Sequence, residues 1–137
     1  MTNQPTQSQQ QTLQQRRAKS AWLNVEQVTH LQKEYGSLVR GLPAMILGEG
    51  LGQTLAFLKA KDKNRQDTEH WQVYKDVSDW VVAELRPKPP KIELLELVLT
   101  CDSNEYRRAA TEALAYLSWL KRFAEAKGFA DTPNGGH

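Results

Sequence analysis

Apolar residues recur at steps of three and four along most of the chain, a spacing that places them on one face of an α-helix. One example is the series Leu51, Leu55 and Leu58. No segment shows the alternation of apolar and polar residues that is typical of a strand. With 137 residues, 39% of them hydrophobic, the chain can form one core without disulfides or metals. The sequence therefore predicts an all-α fold, a single-domain bundle of about six helices.

Interruptions of this spacing mark the ends of the predicted helices. They fall at Gly36, residues 48–50, the polar connection 59–66, residues 87–90 and Asp102. We therefore expect one long first helix over residues 13–35. Pro43 is expected near the start of the second helix or kinking it.

Short polar residues and a proline favour the starts of the last three helices. Asp67 or Thr68 can cap the fourth helix, and Pro90 is well placed to begin the fifth. Asp102 or Ser103 can cap the sixth helix, which should run to a stop at residue 128. The fifth helix is so rich in apolar residues that we expect it to be nearly surrounded by protein.

The two ends of the chain differ in composition from its centre. Residues 1–12 are rich in Gln and polar residues, and residues 129–137 end in a short Asn-Gly-Gly-His segment. Ordering such segments costs backbone entropy and buries little. We therefore predict two disordered tails, at 1–12 and 129–137, around a helical bundle domain at 13–128.

Candidate reactive groups are scattered along the sequence. His30, His70 and His137 have no Cys or Glu at the spacing of metal ligands. Cys101 is the single cysteine, which excludes an intramolecular disulfide and a multi-cysteine metal site. We therefore predict no metal and no cofactor.

Two pairs of acids stand three residues apart, as a metal-dependent nuclease would need. Asp76 and Asp79 form one pair, and Glu93 and Glu96 form the other. Both pairs are expected opposite the apolar stripe, where solvated charge belongs. The sequence therefore predicts no catalytic residue, no enzyme activity and no small-molecule substrate.

The N-terminal residues lack the basic start and apolar core of a signal peptide. The longest apolar stretches are a few residues long, whereas crossing a bilayer takes about 20. A single cysteine also suits a reducing compartment. We therefore expect a cytoplasmic protein with no membrane partner.

Basic residues are the strongest indication of a ligand. Arg107 and Lys121 are fourteen residues apart, as are Arg108 and Arg122, so each pair falls within a narrow angle of one helix. Such cations supply affinity for phosphates without sequence preference. A second patch is predicted at residues 16–19, which include Arg16, Arg17 and Lys19. The alternative is that these residues only make the surface soluble.

Four blocks of the sequence resemble the small helical subunit, the fifth subunit, of the Cmr effector complex. That complex is the RNA-guided machine of type III-B CRISPR systems. The blocks are QRRA at 15–18, YGSLVR at 35–40, LGQTLAFL at 51–58, and the run that extends from YRRA at 106–109 through LKRFA at 120–124. The resemblance covers most of residues 13–128, and the third and last blocks are the most specific.

The resemblance implies a non-catalytic subunit that serves antiviral defence. Several copies would stack into a short filament beside the backbone subunits. The implied partners are other Cmr subunits, copies of the chain itself, guide RNA and target RNA. The implied RNA-binding residues are Arg16, Arg17, Lys19, Arg40, Arg107, Arg108, Lys121 and Arg122.

Two other functions fit the helices. In a helix-turn-helix DNA-binding protein, residues 38–47 would form the first helix and residues 48–50 the turn. Residues 51–61 would then form the reading helix, with Gln53 and Thr54 at the base edges. In a protein-only helical adaptor, the basic residues would have no ligand.

Overall fold

The computed structural model describes residues 11–129 and contains six helices and no strand within that range. The helices are α1 (Leu13–Glu26), α2 (Gln32–Glu49), α3 (Leu51–Asp62), α4 (Glu69–Leu85), α5 (Leu94–Thr100) and α6 (Ser103–Ala126). The predicted all-α bundle is confirmed. Residues 1–10 and 130–137, which make up most of the two predicted tails, lie outside the described residues.

The ordered bundle extends slightly beyond its predicted ends. Thr12 caps α1, since its hydroxyl accepts from the Gln15 amide at 3.0 Å and the Gln15 side chain accepts from the Thr12 amide at 2.8 Å. Phe129 is buried, and its ring meets that of Tyr35 edge to face at 6.5 Å. The prediction of disorder is therefore wrong at Thr12 and Phe129, because one side chain caps a helix and the other joins the core.

The predicted first helix, 13–35, is two helices. α1 ends at Glu26, a turn follows, and Leu31 adopts a left-handed backbone with φ of 57° before α2 begins. Val28 and Tyr35 are both buried, so the apolar spacing continues across the turn and hides the break. Gly36, the predicted break, is buried within α2.

Three other boundaries differ from the prediction. α3 continues to Asp62, through the first half of the predicted polar connection. Pro43 lies well inside α2, because that helix begins eleven residues earlier, at Gln32. Pro90 does not begin α5, which starts at Leu94.

The caps of α4 and α6 agree with the prediction, and α5 is less enclosed than expected. The Thr68 hydroxyl accepts from the Trp71 amide at 3.0 Å, and the Asp102 carboxylate accepts from the Glu105 amide at 2.8 Å. In α5, by contrast, Leu99 is 72% exposed. The expectation that α5 is nearly surrounded is therefore wrong on that side.

α6 is the central helix of the bundle and packs against α1, α2, α4 and α5. Its buried face combines alanines with large side chains, and the alanines let the neighbouring helices approach closely. Those side chains are Ala109, Ala113, Tyr116, Leu117, Leu120 and Ala124. The opposite face of α6 remains open to solvent, and that face holds the candidate site.

Asp76 is buried, contrary to the prediction of solvated charge. Its side chain accepts hydrogen bonds from the Tyr35 hydroxyl and the Gln72 amide, each at 2.8 Å, and the residue is 3% exposed. α4 packs against α2, α3, α5 and α6, so little of its surface is left for solvent. Burial raises the pKa of Asp76 to about 6, although both hydrogen bonds favour the charged form.

This pKa predicts a stability that depends on pH. Folding raises the pKa of Asp76 above its ordinary value of 3.8, so the protonated carboxyl group stabilises the folded chain. This contribution is fully present below about pH 4 and is lost as the pH rises through about 6. The expected loss in the free energy of unfolding is about 3 kcal/mol. Asp76→Asn should abolish this decline, measured by urea denaturation between pH 4 and 7.

Asp79→Asn is the matched control, because Asp79 lies on the same helix with a side chain 44% exposed. Its pH profile should keep the decline, shifted slightly to lower pH, because the charge of Asp79 is a small part of what raises the pKa of Asp76. Profiles that run parallel in the unchanged chain and in Asp76→Asn would contradict the prediction.

Candidate nucleic-acid interface

Two adjoining grooves follow the outer face of α6. The Arg107 groove has a volume of about 590 Å³ and is lined by Leu13, Glu84, Leu85, Asn104, Arg107, Arg108, Thr111 and Glu112. The Trp119 groove has a volume of about 230 Å³ and is lined by Gln14, Ala115, Ser118, Trp119 and Arg122. Consecutive residues of α1, Leu13 and Gln14, form one edge of each groove, so the start of α1 borders both.

Three of the predicted RNA-binding residues lie in these grooves. Arg107 and Arg108 are exposed in the first, and Arg122, with a side chain 70% exposed, lies in the second. At a rise of 1.5 Å per residue, Arg107 and Arg122 are separated by about 22 Å along the helix. Arg107 bonds to the Asn104 side chain, and Arg122 lies 3.5 Å from Glu125. The three guanidinium groups form one cationic stripe.

The two pairs predicted from the sequence, Arg107 with Lys121 and Arg108 with Arg122, therefore give a single stripe on α6. At about 100° per residue, Arg122 falls between Arg107 and Arg108 when viewed down the helix. Lys121 is displaced to the other side of Arg107, is half-buried and lines neither groove. Lys121 is therefore not part of the cationic stripe.

Arg17 is half-buried and is paired within the chain. Its guanidinium makes a two-pronged contact with Glu112, with N–O distances of 2.6 and 2.8 Å. The two side chains are only 15% and 10% exposed. The Trp80 indole also donates to Glu112 at 2.8 Å. Turning Arg17 toward a phosphate would leave the buried carboxylate of Glu112 without its cation.

Arg16 is also paired within the chain. It contacts Glu84 of α4 at 2.8 Å, and its guanidinium lies 5.9 Å from the centre of the Trp80 ring. The hydrogen bond with Glu84 raises the pKa of Arg16. The predicted patch at residues 16–19 therefore reduces to Lys19, which is exposed on α1, and Arg40 lies apart on α2.

Comparison with known proteins identifies the family of the chain. The family model for the CRISPR-associated protein Cas_Cmr5 matches residues 13–127. The chain belongs to the Cmr5 family. The resemblance noted from the sequence blocks is thereby confirmed.

Two Cmr5 proteins illustrate the relationship. The CRISPR system Cmr subunit Cmr5 of Thermus thermophilus is 31% identical over 94 residues, which cover 68% of this chain and 74% of the relative. The X-ray crystal structure of a CRISPR-associated Cmr5 family protein from the same organism matches with a TM-score of 0.67 and 28% identity. That match covers 85% of this chain and 97% of the solved chain.

The sequence interpretation missed the polar partners of the arginines in this Cmr5-family chain. Asn104, Thr111 and Ser118 follow the same steps of three, four and seven residues on α6 and complete the lining of the grooves. That spacing was visible in the sequence. The contribution of Gln14 was not, because it depends on how α1 lies across α6.

The helix-turn-helix hypothesis is wrong. Thr54 is 1% exposed and its hydroxyl donates to the Gly50 carbonyl at 2.9 Å, so it cannot reach a base edge. Only Gly50 separates α2 from α3. The Tyr106 hydroxyl accepts from the Gly52 amide at 2.8 Å, so α6 covers the start of the proposed reading helix.

Across residues 11–129, no group of three or more His, Cys, Asp or Glu side chains is arranged to hold a metal ion. Within the same residues, no helix combines the length and apolar character needed to cross a membrane.

The ion pair between Arg17 and Glu112 predicts that substitution of Glu112 destabilises the chain more than substitution of Glu84. Glu112→Gln removes the charge facing Arg17 and should lower the free energy of unfolding by about 3 kcal/mol, because it leaves a largely buried guanidinium unpaired. Glu84→Gln breaks the more exposed pair with Arg16 and should cost about 1 kcal/mol or less. Denaturant titration of both variants measures the difference, and equal losses would contradict a structural role for Arg17.

Proposed function

We propose that this Cmr5-family chain is a small, non-catalytic subunit of a type III-B CRISPR effector complex. Several copies form a filament beside the backbone subunits and contact guide RNA and target RNA. The complex acts in the cytoplasm in antiviral defence. Family membership and the description of the Thermus relative as a Cmr subunit support the assignment to the complex.

The α6 stripe carries the proposal that the subunit contacts RNA. Arg107, Arg108 and Arg122 are exposed and line the grooves, and Arg122 also lies 3.5 Å from Glu125. The two glutamates of the Arg107 groove, Glu84 and Glu112, are paired with Arg16 and Arg17. Guanidinium groups bind phosphate oxygens in a two-pronged geometry. The grooves are open along the helix, as a contact with an extended strand requires.

The non-catalytic role is supported by the use that the chain makes of its buried acids. Asp76 accepts from Tyr35 and Gln72, and Glu112 accepts from Arg17 and Trp80. Both carboxylates are buried and serve contacts within the fold, since Tyr35 bonds α2 to α4, and Arg17 and Trp80 bond α1 and α4 to α6.

Exposed leucines support contacts with protein partners. Leu47 on α2 is 77% exposed, Leu99 on α5 is 72% exposed and Leu23 on α1 is 49% exposed. They lie on helices other than α6. Neighbouring copies and other Cmr subunits can therefore dock on these helices while α6 faces RNA.

Reversing the three groove arginines tests the RNA contact. In a Cmr complex assembled with the triple variant Arg107→Glu, Arg108→Glu and Arg122→Glu, target-RNA affinity should fall at least about tenfold at low salt. The dependence of affinity on salt should also become shallower, because fewer counterions are released. Filter binding at several salt concentrations measures both quantities.

A control with the same change in charge separates local contacts from a general effect. Lys61, Lys63 and Lys88 are exposed, lie outside α6 and line neither groove. Reversal of these three should change affinity by less than about twofold. Equal losses of RNA affinity in both variants would indicate a non-specific effect of charge. No loss in either variant would favour the protein-only adaptor.

A further inference from the structure

We propose that the Trp119 groove binds an unpaired nucleobase of the RNA strand, which stacks on the indole of Trp119. This inference rests on the proposed RNA contact and extends it from phosphates to bases. It assigns a binding role to Trp119, which lies between Arg108 and Arg122 along the length of α6.

The indole of Trp119 is held in place before any ligand binds. One side of it packs against Phe123, with ring centres 5.4 Å apart and planes inclined by 31°. Its ring nitrogen donates to the Gln14 side-chain oxygen at 3.2 Å. Trp22 supports Phe123 in turn, with ring centres 5.1 Å apart in an edge-on contact. A ring fixed in this way loses little entropy when a base stacks on it.

The groove beside this ring provides the polar groups that a nucleotide needs. The Gln14 oxygen accepts from both Arg17 and Trp119, and within residues 11–129 the amide NH2 of Gln14 makes no hydrogen bond. That NH2 can donate to an oxygen or ring nitrogen of a base. Arg122 lines the same groove and can contact the phosphate of the same nucleotide. The stacking face of Trp119, the amide donor of Gln14 and the cation of Arg122 therefore lie in one groove.

The groove is also larger than a site for ordered water. Its volume of about 230 Å³ is several times the roughly 30 Å³ that one water molecule occupies. Apart from Trp119, its walls come from the small side chains Ala115 and Ser118 and from Gln14 and Arg122. Small residues beside an aromatic ring leave room for a flat molecule.

Two other tryptophans lack this geometry. Trp80 is stacked on Tyr116 with centres 5.2 Å apart, and Arg16 lies over its ring. Trp22 has the Lys127 ammonium 4.7 Å from its ring centre. Each of these rings already has a cation over it, whereas the structure places a groove beside Trp119.

A matched pair of variants tests the stacking. Trp119→Leu keeps an apolar side chain against Phe123 but removes the large aromatic face, and Trp119→Phe keeps a smaller aromatic face. Binding of a fluorescently labelled single-stranded RNA to the full chain is measured by anisotropy at low salt. Affinity should fall about 5- to 150-fold for Trp119→Leu. Trp119→Phe should retain most of it.

Inorganic polyphosphate is the second probe, because it carries the charge of a nucleic acid without bases. Its affinity should be unchanged by Trp119→Leu and reduced by the triple arginine reversal. Equal RNA affinities for Trp119→Leu, Trp119→Phe and the unchanged chain would overturn the base site alone. A loss of polyphosphate binding in Trp119→Leu would also overturn it, by showing a general defect.

The RNA contact itself is tested separately. If the triple arginine reversal leaves the RNA affinity of the full chain unchanged, or if the unchanged chain binds neither RNA nor polyphosphate, the RNA contact and the base site fall together. A weaker RNA affinity in the triple reversal with no effect of Trp119→Leu would overturn only the base site.

Discussion

The ion pair between Arg17 and Glu112 determines how α1 lies on the bundle, and the candidate site depends on that placement. The pair joins α1 to α6, and the bond from Trp80 to Glu112 adds α4 to the same junction. A few residues further along, Ser20 and Asn24 bond to the Tyr116 hydroxyl at 2.8 and 2.6 Å. With α1 fixed along α6, Leu13 and Gln14 form one edge of the two grooves. A change at this junction would therefore alter the grooves without touching an arginine that lines them.

Two nearly identical blocks, QRRA at 15–18 and YRRA at 106–109, place their arginines in different surroundings. In the first block, Arg17 lies four and eight residues before the buried Ala21 and Val25, so it continues the inner face of α1. In the second, buried Ala109 follows both arginines, which point outward. This difference could have been predicted from the helical spacing of the sequence. Identifying Glu112 as the partner needed the fold, because 95 residues separate it from Arg17.

The fold was largely predictable because its helices have regular apolar faces and good caps. Thr68 and Asp102 were visible as caps, and both act as such. The turn before α2 was missed because Val28 and Tyr35 keep the apolar spacing across it. Asp76 was wrongly predicted to be solvated for a related reason. Periodicity shows which face of a helix is most apolar, but a helix packed on several sides also buries polar positions. The arginines of the site were predictable as charges, whereas the grooves beside them arise from contacts between helices distant in sequence.

The chemistry of the proposed interface suits a subunit that contacts an RNA of any sequence. Arginine contacts with phosphates carry no sequence information, and stacking of a base on an indole is tolerant because every base has an aromatic face. The hydrogen bond available from Gln14 can be accepted by oxygen or nitrogen atoms that several bases share. In an RNA-guided complex, sequence is read by base pairing with the guide, so a protein surface that preferred particular bases would restrict the targets the guide can select. The proposed interface, a row of three exposed arginines and one fixed indole, would give affinity for the strand without that restriction.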